Sequence, residues 1–253
     1  MQIVTTIEKW QQLRNQFQLQ NKSVGLVATM GNLHQGHASL LQRSLAENDV
    51  TVLSIFVNPT QFNDPNDLAK YPRTFNQDCE LANSLVVDVV FAPDPKAIYP
   101  DDFHYQVHED DFSKILDGEF RPGHFIGMLT VVLKLLLLIK PARAYFGEKD
   151  YQQLQLIRGM ATAFFLELEI IACETKRNSS GLALSSRNNL LTPQQLEQAS
   201  LFPELLHSDK TPAQITQALI ADGFNVEYIV DYDNRRFGAV ILNTVRLIDN
   251  VKI

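Results

Sequence analysis

A short buried strand that runs into a glycine turn and then a helix leaves a chain few ways to fold. Val24 to His37, VGLVATMGNLHQGH, reads as that unit. Val24, Leu26 and Val27 form an apolar run, the pattern of an inner parallel strand covered on both faces. Met30-Gly31-Asn32 interrupts it, and a helical pattern begins near Gly36-His37, with Leu40, Leu41 and Leu45 at core spacing. His34 and His37 stand three apart at that helix start. The N–H groups and positive dipole end found there suit a phosphate. Two imidazoles add hydrogen-bond donors that also take or give a proton near neutrality. Gly36 between them leaves room for a nucleotide to lie against the backbone.

Two histidines by themselves also read as a helix cap and a satisfied surface residue. Together with strand, turn and amphipathic helix, HxGH resembles the nucleotidyltransferase superfamily, which shares this element with class I aminoacyl-tRNA synthetases. The rest of the chain continues an α/β alternation. Residues 1 to 20 predict a short strand and a helix with Ile7, Trp10, Leu13 and Phe17 at helical spacing. Further strands are expected at Val50 to Val57, Val86 to Phe91, Ala142 to Phe146 and Leu168 to Cys173, with a helix from about Asn76 to Ser84. Asn58 to Thr74 is polar, holds three prolines and is expected to be irregular, as are residues 93 to 120. The first of these loops follows a parallel strand, where α/β proteins place ligands, so Gln61 is a candidate ligand reader with both donor and acceptor. A lone loop glutamine is otherwise solvent-exposed. Glu109-Asp110-Asp111 reads as a solvated helix start rather than a metal site.

Phe125 to Ile139 is the most apolar run. It carries Lys134, which is expected to snorkel or meet a carboxylate, and falls short of the ~20 residues that span a bilayer. It predicts a buried helix, with His124 at its entry. Past the strand at 142 to 146, GEKD leads into a helix bearing Tyr151, Leu154, Ile157 and Phe164. Asp150 and Gln153 have capping-pair spacing. Lys149, one residue before the cap, opposes the helix dipole unless an anion compensates. GLALSSRN, Gly181 to Asn188, places two hydroxyls and a guanidinium in one loop, a combination that matches a phosphate cradle. From Leu191 the pattern changes to helices starting at Thr192-Pro193 and Thr211-Pro212, then strands at Val226 to Asp231, Ala239 to Leu242 and Val245 to Ile248. That order predicts a small α+β lobe.

A net charge of −7 argues against a polyanion partner such as tRNA. The two cysteines, Cys79 and Cys173, lack metal-type spacing and suit a reduced, cytoplasmic protein. The N-terminal MQIVTTIEKWQQLRNQF has no apolar core of the kind a signal peptide needs.

Four blocks now stand in order: ATMGNLHQGH, SIFVNPTQF with DLAKYPRT, GHFIGMLTVVLKLLLLIKPARAYFGEKDYQQLQLIR, and GLALSSRN. Over roughly residues 24 to 192 the chain resembles the pantothenate synthetase family, ligases that join pantoate to β-alanine at the expense of ATP. The resemblance implies a Rossmann-like parallel sheet with flanking helices over 1–175, binding ATP and pantoate. A small C-terminal α+β lid over 176–253, reduced relative to the family, would follow. It implies ATP contacts at Met30, Gly31, Asn32, Leu33, His34, Gln35, Gly36 and His37, and at Gly147, Glu148, Lys149 and Asp150. Lys176, Leu184, Ser185, Ser186 and Arg187 would complete them. His34, His37, Lys149, Ser185, Ser186 and Arg187 would surround the phosphates; His34, His37, Lys149 and Arg187 are the catalytic candidates, with His37 the proton donor. Gln61 and Gln153, with Asn58 beside them, would read pantoate, and Gln61 would also lie near the β-alanine amine. Mg2+ with ATP, its ligands unknown, and a homodimer are further expectations of the resemblance, while net charge and the short apolar run argue for no nucleic-acid and no membrane partner. Two departures stand out. Ala28 replaces the proline common before Thr-Met-Gly, and Asn178-Ser179-Ser180 lies where acidic residues are usual.

Two other functions fit parts of the pattern. A nucleotidyltransferase acting on a phosphorylated acceptor explains HxGH and Ser-Ser-Arg but leaves Gln61 and Gln153 without a task. A non-catalytic nucleotide-binding module leaves the cations aimed at a departing pyrophosphate unexplained.

Overall fold

The structure, a computed structural model, describes residues 1–63 and 65–253; residue 64, inside the predicted 58–74 loop, lies outside the described residues. The chain divides into two units, Met1–Gly147 with Gln152–Cys173, and Glu148–Tyr151 with Glu174–Ile253.

The first unit is built on strands β1 (Gln2–Val4), β2 (Val24–Thr29), β3 (Val50–Ile55), β4 (Val89–Phe91), β5 (Arg143–Gly147) and β6 (Glu169–Cys173). They form one sheet in the order β1-β4-β3-β2-β5-β6, and every neighbouring pair is parallel. Parallel neighbours need crossovers, and these are helical: α1 (Ile7–Leu19), α2 (Gln35–Glu47), α3 (Pro65–Lys70), α4 (Phe75–Ser84), α5 (Pro95–Ile98), α6 (Asp117–Phe120), α7 (His124–Ile139) and α8 (Tyr151–Ala163). The sheet grows from β2 through β3 to β4, then restarts on the other side of β2 with β5. The carboxyl ends of β2 and β5 therefore flank the switch point where open α/β sheets bind ligands. This is the Rossmann-like sheet expected from the sequence.

Two predicted irregular stretches hold short helices instead. A 3-10 turn, Pro59–Gln61, and α3 interrupt 58–74, while α5, the turn Phe112–Lys114 and α6 interrupt 93–120. The prolines explain the difference. Pro59, Pro65 and Pro95 each open a helical turn, where the missing N–H has no intrahelical partner to lose. The acidic run 109–111 has a capping role: the Glu109 carboxylate accepts from the backbone N–H groups of Asp111, Phe112 and Ser113.

Helix α7 forms much of the first unit's interior, burying Phe125, Met128, Leu129, Leu136 and Ile139. Lys134 on this helix meets a carboxylate, Asp101, at 2.7 Å, donates to the Ile98 carbonyl, and lies over the Tyr99 ring. The Lys134 hydrogen bond, with the Tyr105 N–H, holds the Asp101 carboxyl down at about 2. At the helix end, Lys140 takes the left-handed conformation, and α1 supplies donors: Trp10 Nε1 to Leu138 O, Arg14 Nε to Ile139 O and Arg14 Nη2 to Lys140 O.

The second unit contains α9 (Pro193–Ala199), α10 (Leu201–Leu206) and α11 (Pro212–Ala221), followed by β7 (Asn225–Tyr232), β8 (Arg235–Leu242) and β9 (Val245–Lys252). The three strands form an antiparallel sheet with β8 in the middle. Thr192 and Thr211 cap their helices in boxes closed by Gln195 and Gln214. Phe202, Leu206, Ile215, Leu219, Val240 and Leu247 form this unit's core. Among the described residues no helix is long and apolar enough to cross a membrane.

Gly127 lets α7 press against the 59–61 turn. A Cβ there would collide with the Thr60 carbonyl oxygen and come within 2.7 Å of the Gln61 nitrogen. Gly127→Ala is expected to cost about 1–3 kcal/mol in urea unfolding, the usual scale of overpacking. Wild-type stability would show that the turn yields without strain.

Candidate active site

Strand β2 ends at Thr29, whose hydroxyl donates to Ser54 O and accepts from Gly31 N. Ala28 stays in register opposite Ser54 within the ladder. Gly31 follows at φ +80, and a Cβ on it would sit 2.9 Å from Asp78 Oδ2, so glycine is required twice over. Asp78, on α4, is the buried anchor of this turn: its carboxylate accepts from Asn32 N at 3.0 Å, Leu33 N at 2.8 Å and the Thr74 hydroxyl at 3.1 Å. Sequence reading missed Asp78. The only signal was an aspartate in the first turn of a predicted helix, a position that ordinarily serves that helix's own dipole.

His34 then caps α2 from an extended conformation. Its Nδ1 accepts from Gly36 N at 3.1 Å, and His37 Nδ1 accepts from His34 N at 3.3 Å, a reciprocal capping box built from two histidines. Their rings lie 4.1 Å apart. The capping role and the proton-bearing role are therefore not alternatives. An Nδ1 that accepts from the backbone places the neutral ring's proton on Nε2, so each ring presents Nε2–H as a donor.

The loop after β3 brings the amides together. Asn58 is fully buried; it donates to Gln61 Oε1 at 3.0 Å and Gly127 O at 3.1 Å, and accepts from Tyr99 Oη at 2.7 Å and Thr60 Oγ1 at 3.0 Å. Its amide is thus committed to orienting Gln61. Burial pushes the Tyr99 hydroxyl up to about 12, keeping it a proton donor to Asn58. Gln61 Nε2 lies 3.3 Å from Met30 Sδ, which joins this loop to the turn after β2. The Gln61 carbonyl accepts from His124 Nδ1 at 2.8 Å, while Arg121, a donor only, faces His124 Nε2 at 3.0 Å. His124 therefore carries its proton on Nδ1, the opposite tautomer to His34 and His37.

Of the two glutamines opening α8, Gln152 is buried and structural, holding Phe112 O, Ile115 O and Asp117 N. Gln153 is half-buried, and among the described residues no hydrogen bond to its side chain is present.

The other expected phosphate ligands belong to the second unit. Glu148–Asp150 forms a 3-10 turn running directly into α8, and Asp150 faces Lys149 at 3.4 Å rather than capping Gln153. The anion beside Lys149 in this structure is thus its neighbour's carboxylate. Leu184 N donates to Lys176 O, and residues 177 and 183 bridge, which joins Lys176 to the Ser-Ser-Arg loop. Ser185 caps the turn Ser186–Leu190 by accepting from Arg187 N. Asn178, where acidic residues were expected, does a carboxylate's local work by accepting from Ser180 N, Ser180 Oγ and Leu182 N.

The sequence profile of the pantoate–β-alanine ligase family matches residues 2–252. The pantothenate synthetase of Coxiella burnetii (strain RSA 331 / Henzerling II) is 53% identical over 98% of this chain and 96% of its own length. That of Legionella pneumophila (strain Lens) is 51% identical over 99% of each. A crystal structure of the pantoate–β-alanine ligase from Francisella tularensis, complexed with β,γ-ATP and β-alanine, superposes with a TM-score of 0.95 at 45% identity, covering 100% of this chain and 97% of that one.

Asp78→Ala is expected to leave the buried Asn32 N–H and the part-buried Leu33 N–H without their acceptor, at about 1–3 kcal/mol. It should also weaken ATP binding more than pantoate binding. Calorimetric titration of the folded variant with each substrate checks this. Equal affinities to wild type for both would remove Asp78 from the site.

Proposed function

Because the chain belongs to the pantoate–β-alanine ligase family, we propose that its ATP-dependent condensation of pantoate with β-alanine runs through a pantoyl adenylate. The carboxylate of pantoate attacks the α-phosphorus of ATP in line, forming an acyl phosphate bond as the bond to pyrophosphate breaks. The amine of β-alanine then attacks the acyl carbon, forms the amide, expels AMP and gives up a proton to solvent. Neither step needs a protein nucleophile, so positioning and charge stabilisation carry the catalysis.

The observation that carries this reading is the two-histidine capping box. It fixes both rings at a helix N-terminus and directs their protons to Nε2, where they serve the departing pyrophosphate. The ATP contacts in this reading are Met30, Gly31, Asn32, Leu33, His34, Gln35, Gly36 and His37, with Gly147, Glu148, Lys149, Asp150, Lys176, Leu184, Ser185, Ser186 and Arg187 carried over from the family motifs. Lys149 and Arg187 supply positive charge, and His37 supplies the proton or hydrogen bond. Gln61 and Gln153 read pantoate, since an amide both donates to its carboxylate and accepts from its hydroxyls. Asn58 holds Gln61 in the orientation that does so.

Among the described residues no group of three or more His, Cys, Asp or Glu is placed to hold a metal ion. Mg2+ bound largely through substrate phosphates suits such a protein, and no step here is assigned to it. The family resemblance supports a homodimer. Two cysteines without a disulfide support a reducing, cytoplasmic setting. The negative net charge gives no support to a nucleic-acid partner.

The test is exchange of labelled pyrophosphate into ATP. It is expected with pantoate and Mg2+ present and β-alanine absent, and His37→Ala should slow it at least about 100-fold. Exchange with a phosphorylated acceptor but not with pantoate would replace the ligase by a nucleotidyltransferase. ATP binding without any exchange would contradict both.

A further inference from the structure

The turn that carries Lys149 is fixed by residues at the far end of the chain. Asn250, near the end of β9, is buried, and its side-chain amide donates to Glu148 O and Lys149 O at 2.9 Å each. Those two carbonyls belong to the peptide planes on either side of the Lys149 Cα. Holding both planes sets φ and ψ of Lys149, and with them the direction in which its side chain leaves the backbone. The Asn250 amide oxygen accepts from Arg235 Nη1, which fixes the amide's orientation with both N–H groups toward the turn. Arg235, also buried, places its guanidinium 3.9 Å above the Tyr151 ring and 3.8 Å from the Glu148 carboxylate. The turn is thus held at its carbonyls, at its first side chain and at the aromatic ring that ends it.

The strand end that performs this is itself rigid. Asp249 is buried and takes Arg177 in a bidentate pair at 2.5 and 2.9 Å, while Asn250 N donates to Asp249 Oδ1 at 2.8 Å. Lys149 is left with most of its surface covered, and among the described residues its ammonium has only a 3.4 Å contact to Asp150. A lysine stem has four rotatable bonds, so its charge is aimed well only where its backbone is fixed.

We propose that Asn250, oriented by Arg235, is the positioning residue for Lys149: the β8–β9 hairpin sets the phosphate-directed lysine through its two flanking carbonyls. This rests on the assignment of Lys149 to the ATP phosphates. Nothing in the local sequence around GEKD announces the dependence, because the partners lie about a hundred residues downstream.

A double-mutant cycle on pyrophosphate exchange tests it. Asn250→Asp is isosteric and keeps the acceptor for Arg235, but it turns an oxygen toward the two carbonyls and releases the turn. In the otherwise wild-type chain it is expected to slow exchange about 100-fold, the scale of an ångström-sized misplacement, with the pantoate KM unchanged. Lys149→Ala alone should slow exchange by roughly 10²–10³. Asn250→Asp added to Lys149→Ala should then cost almost nothing more, because residues acting through one another are not additive. A loss of the same size in both backgrounds, or none in the wild-type background, overturns the positioning role while leaving Lys149 in place. Full exchange by Lys149→Ala overturns the phosphate assignment instead, and the proposal with it. Thermal unfolding checks the fold of each variant, and Asn250→Ala, which removes the amide without adding charge, replaces Asn250→Asp if the latter does not fold.

Discussion

The carboxylate of Asp78 closes the turn between β2 and α2 on which the two-histidine cap depends. A chain leaving β2 must reverse within a few residues to enter α2, and that exposes consecutive backbone N–H groups inside the protein. Asp78 takes two of them, at Asn32 and Leu33, and the Thr29 hydroxyl takes the one at Gly31. A buried, unsatisfied N–H costs on the order of 1–3 kcal/mol. With those groups held, His34 arrives extended at the helix start, and the capping box follows from its position. Each imidazole then has its Nδ1 committed to a backbone N–H, which puts the neutral ring's proton on Nε2.

The same logic, a polar side chain spent on backbone so that a neighbour can act, recurs across both units. Asn58 is consumed by four contacts and leaves Gln61 oriented. Gln152 is consumed by the 112–117 segment, beside Gln153. In the second unit Ser185 is spent on Arg187 N, and Asn250 on the carbonyls around Lys149. Each pairing commits one polar side chain to backbone groups beside a residue of the proposed site, which gives the amides and hydroxyls of these segments a structural task.

What could be read from sequence was what is local. The apolar runs of β2 and β3, the helical spacing of α1 and α2, and the unbroken hydrophobicity of α7 each depend on neighbours within a few residues. The HxGH, NPTQF and LSSRN blocks were visible for the same reason. What stayed hidden was long-range or positional. Asp78 meets Asn32 across 46 positions, and an aspartate near a helix start does not show which N–H groups it will take. The assignment of Glu148–Tyr151 to the second unit depends on β8 and β9, not on GEKD. The prolines of 58–74 and 93–120 read as breakers because sequence does not distinguish a proline that ends an element from one that begins it.

The capping box imposes one tautomer on both imidazoles. Nitrogen-15 spectra of the His34 and His37 imidazoles, above the pH at which they protonate, measure it directly. Both rings are expected to carry their proton on Nε2, with Nδ1 as the bare acceptor, and to keep that form when ATP is added. Protons on Nδ1 in either ring would contradict the capping geometry and, with it, the assignment of those rings to the departing pyrophosphate.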